Sequence, residues 1–206
     1  MKERPILFST EMVQVILEGK KTQTRRVLKP QPGNISIFNE RRWIESSINH
    51  VWADGHGYQR KCPYGQIGDG LWVRETWRAE ELDPYGEDGI RYKADGAFVQ
   101  IENSEDAAER WGDARYTKSG KKYPGWRLSI YMPRWASRIT LEIVNVRVKR
   151  VQDITEKDAV AEGCVGAFLP ADCEFLILWN SINAKRGYGW AKNPWVWAIT
   201  FRRLKI

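Results

Sequence analysis

The chain has 206 residues, 42% apolar and 29% charged, an ordinary composition for a soluble globular protein that can build a sizeable core. Its 33 Lys and Arg against 26 Asp and Glu give a formal net charge of +7, which favours a polyanionic or phosphate-bearing partner. No apolar run nears the roughly 18 residues of a membrane span, no apolar leader follows "MKERPILFST", and three scattered cysteines form no disulfide framework, so a cytoplasmic chain without a membrane partner is expected.

Residues 10–18 predict a short helix. Met12, Val13, Ile16 and Leu17 recur at the spacing of one buried face. Thr10 is the expected N-cap, Glu11 suits the positive end of the dipole, and Gly19 is placed to end the helix. "LKPQPG" (28–33) is a loop. Residues 34–66 are polar and mixed, with no period to assign. "IGDG" is a turn, and "LWVRETW" (71–77) reads as a strand. Residues 79–125 are rich in Asp, Glu, Gly and Lys and are expected to form a long irregular insertion, partly mobile. "WRLSIYMP" (126–133) returns to strand character.

The clearest strand is "ITLEIVNVRVKRV" (139–151). Ile139, Leu141 and Ile143 alternate in one phase, and Val144, Val146 and Val148 in the other. The slip at 143/144 predicts a bulge, and Arg147 and Lys149 then fall on the wet face. "ITEKDAVAEG" (154–163) predicts a short helix capped by Thr155, with Asp158 in the capping-box position and Gly163 at its end. A second helix over 172–182 carries the stripe Phe175, Leu178, Trp179 and Ile182. "WVWAITF" (195–201) reads as a strand buried on both faces. Eleven tryptophans are expected mainly in the core, with a few facing a ligand. The class is α+β: a small mixed β-barrel with short flanking helices, in a single domain over 1–206 with an insertion at about 79–125.

The stretch after the first helix carries chemistry. Lys20, Lys21, Arg25 and Arg26 are interleaved with Thr22 and Thr24. If 22–26 are extended, Thr22, Thr24 and Arg26 share a face and Lys21 leans over it. The pattern Gly19-x-Lys21-x-x-Thr24-x-Arg26 resembles the signature of the ASCH domain, a branch of the PUA-like barrel superfamily. "IGDGLWVRETW" is similar to that family's Gly-Asp strand. "ITEKDAVAEG" is similar to its second helix, through Thr155, Glu156, Ala159 and Glu162. "RPILFSTEMVQ" and "NPWVWAITF" resemble the start and end of Trp-rich ASCH proteins of phages and prophages. The long-form resemblance spans nearly the whole chain. The compact core corresponds to about 5–30, 66–78 and 126–206.

Compact ASCH enzymes hydrolyse the acetyl amide of N4-acetylcytidine with a Lys, a Thr and a Glu. The resemblance implies that Lys21, Thr24 and Glu162 are catalytic. It also implies a ligand-facing or structural role for Arg26. Amide hydrolysis needs an activated nucleophile and a stabilised oxyanion. Lys21 can accept a proton if its pKa falls from about 10.4 to near 7, roughly 4 kcal/mol, which burial and neighbouring cations can supply. Alternatively, Lys21 stays charged beside Glu162 and stabilises the oxyanion, Glu162 acts as base toward water, and Thr24 positions the substrate. Both assignments remain open at this stage, and neither needs a metal or another cofactor. Thr22, Arg26, Trp72, Glu75 and Trp135 are candidates for holding the substrate. Alanine at Lys21, Thr24 or Glu162 is expected to abolish deacetylation and leave the fold intact.

Other constellations are weaker. His50, His56 and Cys62, near Asp54, do not follow a known zinc spacing. Cys164 and Cys173 are expected to be buried thiols. Ser9, Ser129 and Ser137 have no histidine in a triad-like arrangement. The expected partners are a modified nucleoside or RNA, with a monomer favoured. Competing readings are an RNA-binding PUA-like module, supported by Arg147, Lys149 and the basic segment 118–122, and an ASCH-type ribonuclease.

Overall fold

A computed structural model of the chain describes residues 1–31, 44–46, 51–53, 59–82 and 87–204. In chain order the elements are β1 (Glu3–Leu7), α1 (Thr10–Leu17), β2 (Gln23–Val27), β3 (Ile44–Ser46), β4 (Val51–Ala53), β5 (Gln59–Lys61), β6 (Gly70–Arg74), β7 (Trp77–Leu82), β8 (Glu87–Tyr92), β9 (Phe98–Gln100), α2 (Glu105–Arg115), β10 (Thr140–Arg150), α3 (Glu156–Ala161), α4 (Ala171–Asn183) and β11 (Trp195–Arg203). The five-stranded sheet has the order β1-β6-β10-β11-β2, and two three-stranded sheets are formed by β3-β4-β5 and β7-β8-β9. The α+β class is as expected. The expected barrel is an open sheet: among the described residues its edge strands β1 and β2 are not paired with each other. His50, Asp54 and His56 lie outside the described residues. Among those described, no group of three His, Cys, Asp or Glu is arranged to hold a metal.

By its internal contacts the chain divides into two compact units. One holds Met1–Arg4, Val15–Leu71 and Leu141–Ile206, and the other Pro5–Gln14 and Trp72–Thr140.

In the first unit β11 is antiparallel to both β10 and β2. β11 is buried on both faces through Phe201, as its apolar sequence requires. The register shift between Ile143 and Asn145 is the expected bulge. Val144 is the extra residue. It is 39% exposed, so the second apolar phase begins at Val146 rather than at Val144. Phe175 and Trp179 of α4 pack with Val151, Ala159, Cys164 and Val196. Burying such side chains contributes about 1.5–3 kcal/mol each. The stripe on α4 ends differently from expectation: Ile182 is 39% exposed and Asn183 is buried, its amide bonded to the Trp179 carbonyl at 3.2 Å.

In the second unit the expected irregular insertion is regular. β7, β8 and β9 form an antiparallel meander. Ser104 caps α2 by accepting from the Ala107 N–H, and the Trp111 indole donates to the Gly89 carbonyl at 3.0 Å. One face of the meander is apolar, with Trp77, Ala79, Ile90 and Tyr92 in a core with Trp111, Ala114, Met132 and Ala136. The other face is charged, Arg78 and Arg91 both pairing with Glu80. Composition suggested an irregular, partly mobile stretch because charged and apolar residues alternate with a period of two and average out along the chain. "WRLSIYMP" forms no strand. Arg127 makes one isolated bridge to Trp77, Ser129–Tyr131 is a turn of 3-10 helix, and Leu128, Ile130 and Tyr131 are 55–65% exposed. The N-terminal part of α1 also lies in this unit. The Ser9 hydroxyl, not Thr10, caps it, accepting from the Met12 N–H at 3.4 Å.

Candidate functional site

The site lies in the first unit and starts at a chain reversal. Gly19 takes a φ of +74°, a conformation that a side chain disfavours. The Lys20 and Lys21 N–H groups then both reach the Val15 carbonyl, at 2.9 and 3.0 Å. Lys20 stays outside, paired with Glu18, whereas the Lys21 side chain is wholly buried. β2 follows, with Thr24 opposite Ile199, Arg25 opposite Ala198 and Arg26 opposite Trp197.

α3 supplies the opposing charges. Thr155 caps it, accepting from the Asp158 N–H at 3.1 Å, and Glu162 closes it. Gly163 takes a φ of +94°, and a Cβ there would lie 3.0 Å from Val15 Cγ2. This glycine therefore lets the helix end close against Val15 and fixes the position of Glu162.

Lys21 Nζ donates to the Glu162 carbonyl at 2.6 Å and to its Oε2 at 3.0 Å, across 141 positions of sequence. Arg25 Nη1 donates to Glu162 Oε1 at 3.1 Å and to Gln23 Oε1 at 2.6 Å. Arg25 Nη2 reaches Asp158 Oδ2 at 2.9 Å, and Gln23 Nε2 reaches Asp158 Oδ1 at 3.3 Å. Arg147 approaches Asp158 Oδ1 at 3.7 Å. The Arg25 guanidinium also sits 5.7 Å from the Phe175 ring centroid. Lys21, Arg25, Glu162 and Asp158 thus form a compact, nearly dry network, with Arg147 at its rim. Its members are held by mutual hydrogen bonds, because charges taken from water need such partners.

The predicted site residues divide. Lys21 and Glu162 meet. Thr24 is 3% exposed and by alternation lies on the face of β2 opposite Gln23 and Arg25. Among the described residues no hydrogen bond joins its hydroxyl to Lys21 or Glu162. Arg26, half-buried on the Thr24 face, interacts electrostatically with Lys21 and Glu162. Thr22 precedes the strand and is exposed, so it is not buried with Thr24; its backbone bonds to Ala161 and Phe201. Trp72, Glu75 and Trp135 belong to the second unit. The Trp72 ring carries the Arg74 guanidinium 4.7 Å from its centroid. Glu75 is buried in a two-pronged pair with Arg138, both contacts at 3.0 Å, and Arg138 also binds Asp95. Trp135 packs edge-on to Trp77.

Sequence reasoning missed Gln23, Arg25 and Asp158 as partners. The Gly19-to-Arg26 pattern skips both β2 residues, and Asp158 looked occupied by helix capping. One signal was present: an Asp four residues before Glu162 puts both carboxylates on one side of α3.

Burial pushes the Lys21 amine down, the Glu162 carboxylate pushes it back up, and Arg26 adds to the downward pull, leaving it below the ordinary lysine value. For Asp158, burial alone would raise the carboxyl, but Arg25, Gln23 and Arg147 outweigh it and hold it below its usual value. Its stabilisation is then complete above the unfolded pKa of about 3.9 and is lost as pH falls through the lower folded value. Asp158→Asn is expected to be less stable than the parent at neutral pH and to converge with it near pH ~2 in acid-unfolding curves. A gap that stays constant down to that pH would assign the loss to something other than ionisation.

The thiols behave differently from expectation. Cys164 is buried beside the network, but Cys173 is exposed, on the outer side of α4. Burial, and then the Glu162 carboxylate, push the Cys164 thiol up to about 11, and burial does the same for Cys62, also to about 11. Iodoacetamide at pH ~7.5 should label Cys173 alone, with Cys62 and Cys164 reacting on unfolding. Mass spectrometry of the labelled peptides checks this.

No protein-family model matches the chain, and no curated protein matches it. Among solved structures, it is similar to a protein of Enterococcus faecalis assigned to the family DUF984, with 8% identity, 99% of this chain and 81% of the other covered, and a TM-score of 0.41. It is also similar to an ASCH domain from Lactobacillus crispatus, with 11% identity, 98% and 79% covered, and a TM-score of 0.42. At these identities and scores neither likeness bears on the chemistry of the site.

Proposed function

We propose that the Lys21 network is the catalytic centre of an amidohydrolase that removes an acyl group from a modified nucleobase such as N4-acetylcytidine. The observation that carries this reading is the buried contact between Lys21 Nζ and Glu162 Oε2 at 3.0 Å. Two of the three side chains singled out by the ASCH resemblance therefore meet, although they are distant in sequence. The third, Thr24, is buried on the strand that begins two residues after Lys21.

In this reading Lys21 is the proton acceptor. A neutral lysine amine keeps two N–H donors and one lone pair. That lone pair is what a proton acceptor needs. The downward pull of burial on the Lys21 amine acts in the direction this role needs. Glu162 suits an orienting role, because Lys21 and Arg25 already occupy one oxygen each and a water would compete for the remaining lone pairs. In this reading the Thr24 hydroxyl, or a water it holds, gives its proton to Lys21 and adds to the acyl carbon. The oxyanion collapses, the C–N bond breaks, and Lys21 returns the proton to the leaving nucleobase amine. If Thr24 attacks, a water then hydrolyses the resulting ester. The products are cytidine and acetate.

A substrate panel tests the reading: N4-acetylcytidine, the same base within a short RNA, and N6-acetyladenosine. Acetate release from the first or second supports it, and the faster of the two identifies the natural form. RNA retention without turnover, or strand cleavage lost in Lys21→Ala, would replace it with the binding or ribonuclease reading. Thr24→Val removes the hydroxyl at nearly constant volume. It is expected to lower turnover about 10²-fold or more with little change in stability, measured by kinetics and urea unfolding. Unchanged turnover would remove Thr24 from the site.

A further inference from the structure

The second unit contains a cavity of about 260 Å³ that the hydrolase reading does not use. Its walls include Trp77, Tyr131 and Trp135 as aromatics and Arg110, Asp113 and Arg127 as charged groups. Arg110 and Asp113 stand three residues apart on α2, so they share one face of that helix. The other walls come from β7 and the segment after residue 125.

Three features show the chemistry this cavity suits. First, Trp77 is 1% exposed, so it backs the cavity as a fixed wall, and the accessible rings are those of Tyr131 and Trp135. Secondly, Arg127 is held between two rings, 5.0 Å from the Trp77 centroid and 4.4 Å from that of Tyr123, with Nη1 bonded to the Ala114 carbonyl at 2.9 Å. Among the described residues neither Arg127 nor Arg110 is paired with a carboxylate; Arg110 donates to the Asp106 carbonyl. Thirdly, the Trp135 ring packs edge-on to Trp77, at 83° with centroids 6.3 Å apart, which fixes its orientation in the wall.

An aromatic pocket alone would suit a cationic ligand, but two guanidinium groups against one carboxylate repel a cation. A ligand matching the walls has a flat ring to stack, a donor for Asp113 and an anionic group for the arginines. The volume lies just under the roughly 300 Å³ at which sites for drug-sized ligands begin, so one unit of such a ligand fits. We propose that this cavity binds one nucleoside phosphate unit, its base against Tyr131 and Trp135 and its phosphate on Arg110 and Arg127. The unit comes either from a free mononucleotide or from a nucleotide within a single RNA strand. The proposal does not depend on the acyl-amide chemistry of Lys21.

Calorimetric titration with cytidine 5′-monophosphate, cytidine, inorganic phosphate and a single-stranded RNA tetramer tests it. Saturable binding is expected for the monophosphate or the tetramer, about tenfold or more weaker for cytidine and for phosphate alone, and weakening as salt rises. Arg110 is exposed, so Arg110→Glu should keep the parent's thermal melting while losing tenfold or more in affinity. Trp135→Ala should lose affinity as well. Binding by the monophosphate assigns the site to free nucleotides, and binding by the tetramer alone assigns it to a strand. Lys21→Met should bind as the parent does, which separates this site from the proposed hydrolase. Two results overturn the proposal: no saturable binding of either ligand up to about 1 mM, or affinity undiminished in both Arg110→Glu and Trp135→Ala.

Discussion

Replacing Glu162 with alanine is expected to destabilise the fold by about 3–5 kcal/mol as well as to abolish deacetylation. The carboxylate is contacted by Lys21 on one oxygen and Arg25 on the other, and both cationic side chains are fully buried. Removing it leaves two desolvated cations without the anion they share, the condition under which breaking a buried ion pair costs most. This revises the simpler expectation from sequence, in which alanine at position 162 spares the fold. Glu162→Gln keeps the volume and one acceptor and should cost less. The double variant Lys21→Met/Glu162→Leu removes one charge of each sign and fills the space. It should recover part of the stability lost in Glu162→Ala while remaining inactive. Urea unfolding of the three variants checks the order. A double variant less stable than Glu162→Ala would mean that the contact is not what makes the single change costly.

Lys21→Met is expected to reduce turnover of N4-acetylcytidine about 10³-fold, within the range for losing a positioned acid–base group. Methionine matches the length of the lysine stem and leaves Glu162 paired with Arg25, so the fold should survive better than in Glu162→Ala. The pH profile separates the two roles open to Lys21. As a proton acceptor it works only when deprotonated, so kcat/KM rises with pH and levels off at a pKa below the ordinary lysine value of about 10.4. Lys21→Arg then fails to rescue, because a guanidinium does not release its proton in this range. A charged Lys21 that only stabilises the oxyanion gives the opposite pattern. The rate then falls as pH rises through its pKa, and Lys21→Arg keeps part of the activity.

Much of the first unit was legible because its signals are local. The bulge in β10 followed from two apolar phases that slip against each other, and β11 from apolar residues at consecutive positions. Thr155 and Gly163 marked the ends of α3. The insertion was not legible. Its meander alternates Arg78, Glu80 and Arg91 with Trp77, Ala79 and Ile90, so a composition average sees only a polar, charged stretch. The segment at 126–133 failed in the opposite sense: its apolar residues suggested a strand, but Leu128, Ile130 and Tyr131 are exposed and only Met132 enters the core. In the candidate site, Lys21 and Glu162 were reachable from motif spacing. Arg25 was not, because a cation beside other cations reads as solvated until its two carboxylate partners on α3 are seen.

The most direct measurement is the release of cytidine from N4-acetylcytidine by the purified protein, followed by chromatography beside Lys21→Met under conditions where both are folded. The account predicts equimolar cytidine and acetate from the parent and about 10³-fold less from the variant. N4-acetylcytidine left intact by the parent after prolonged incubation both as the nucleoside and within a short RNA, or equal release by the two proteins, would contradict it.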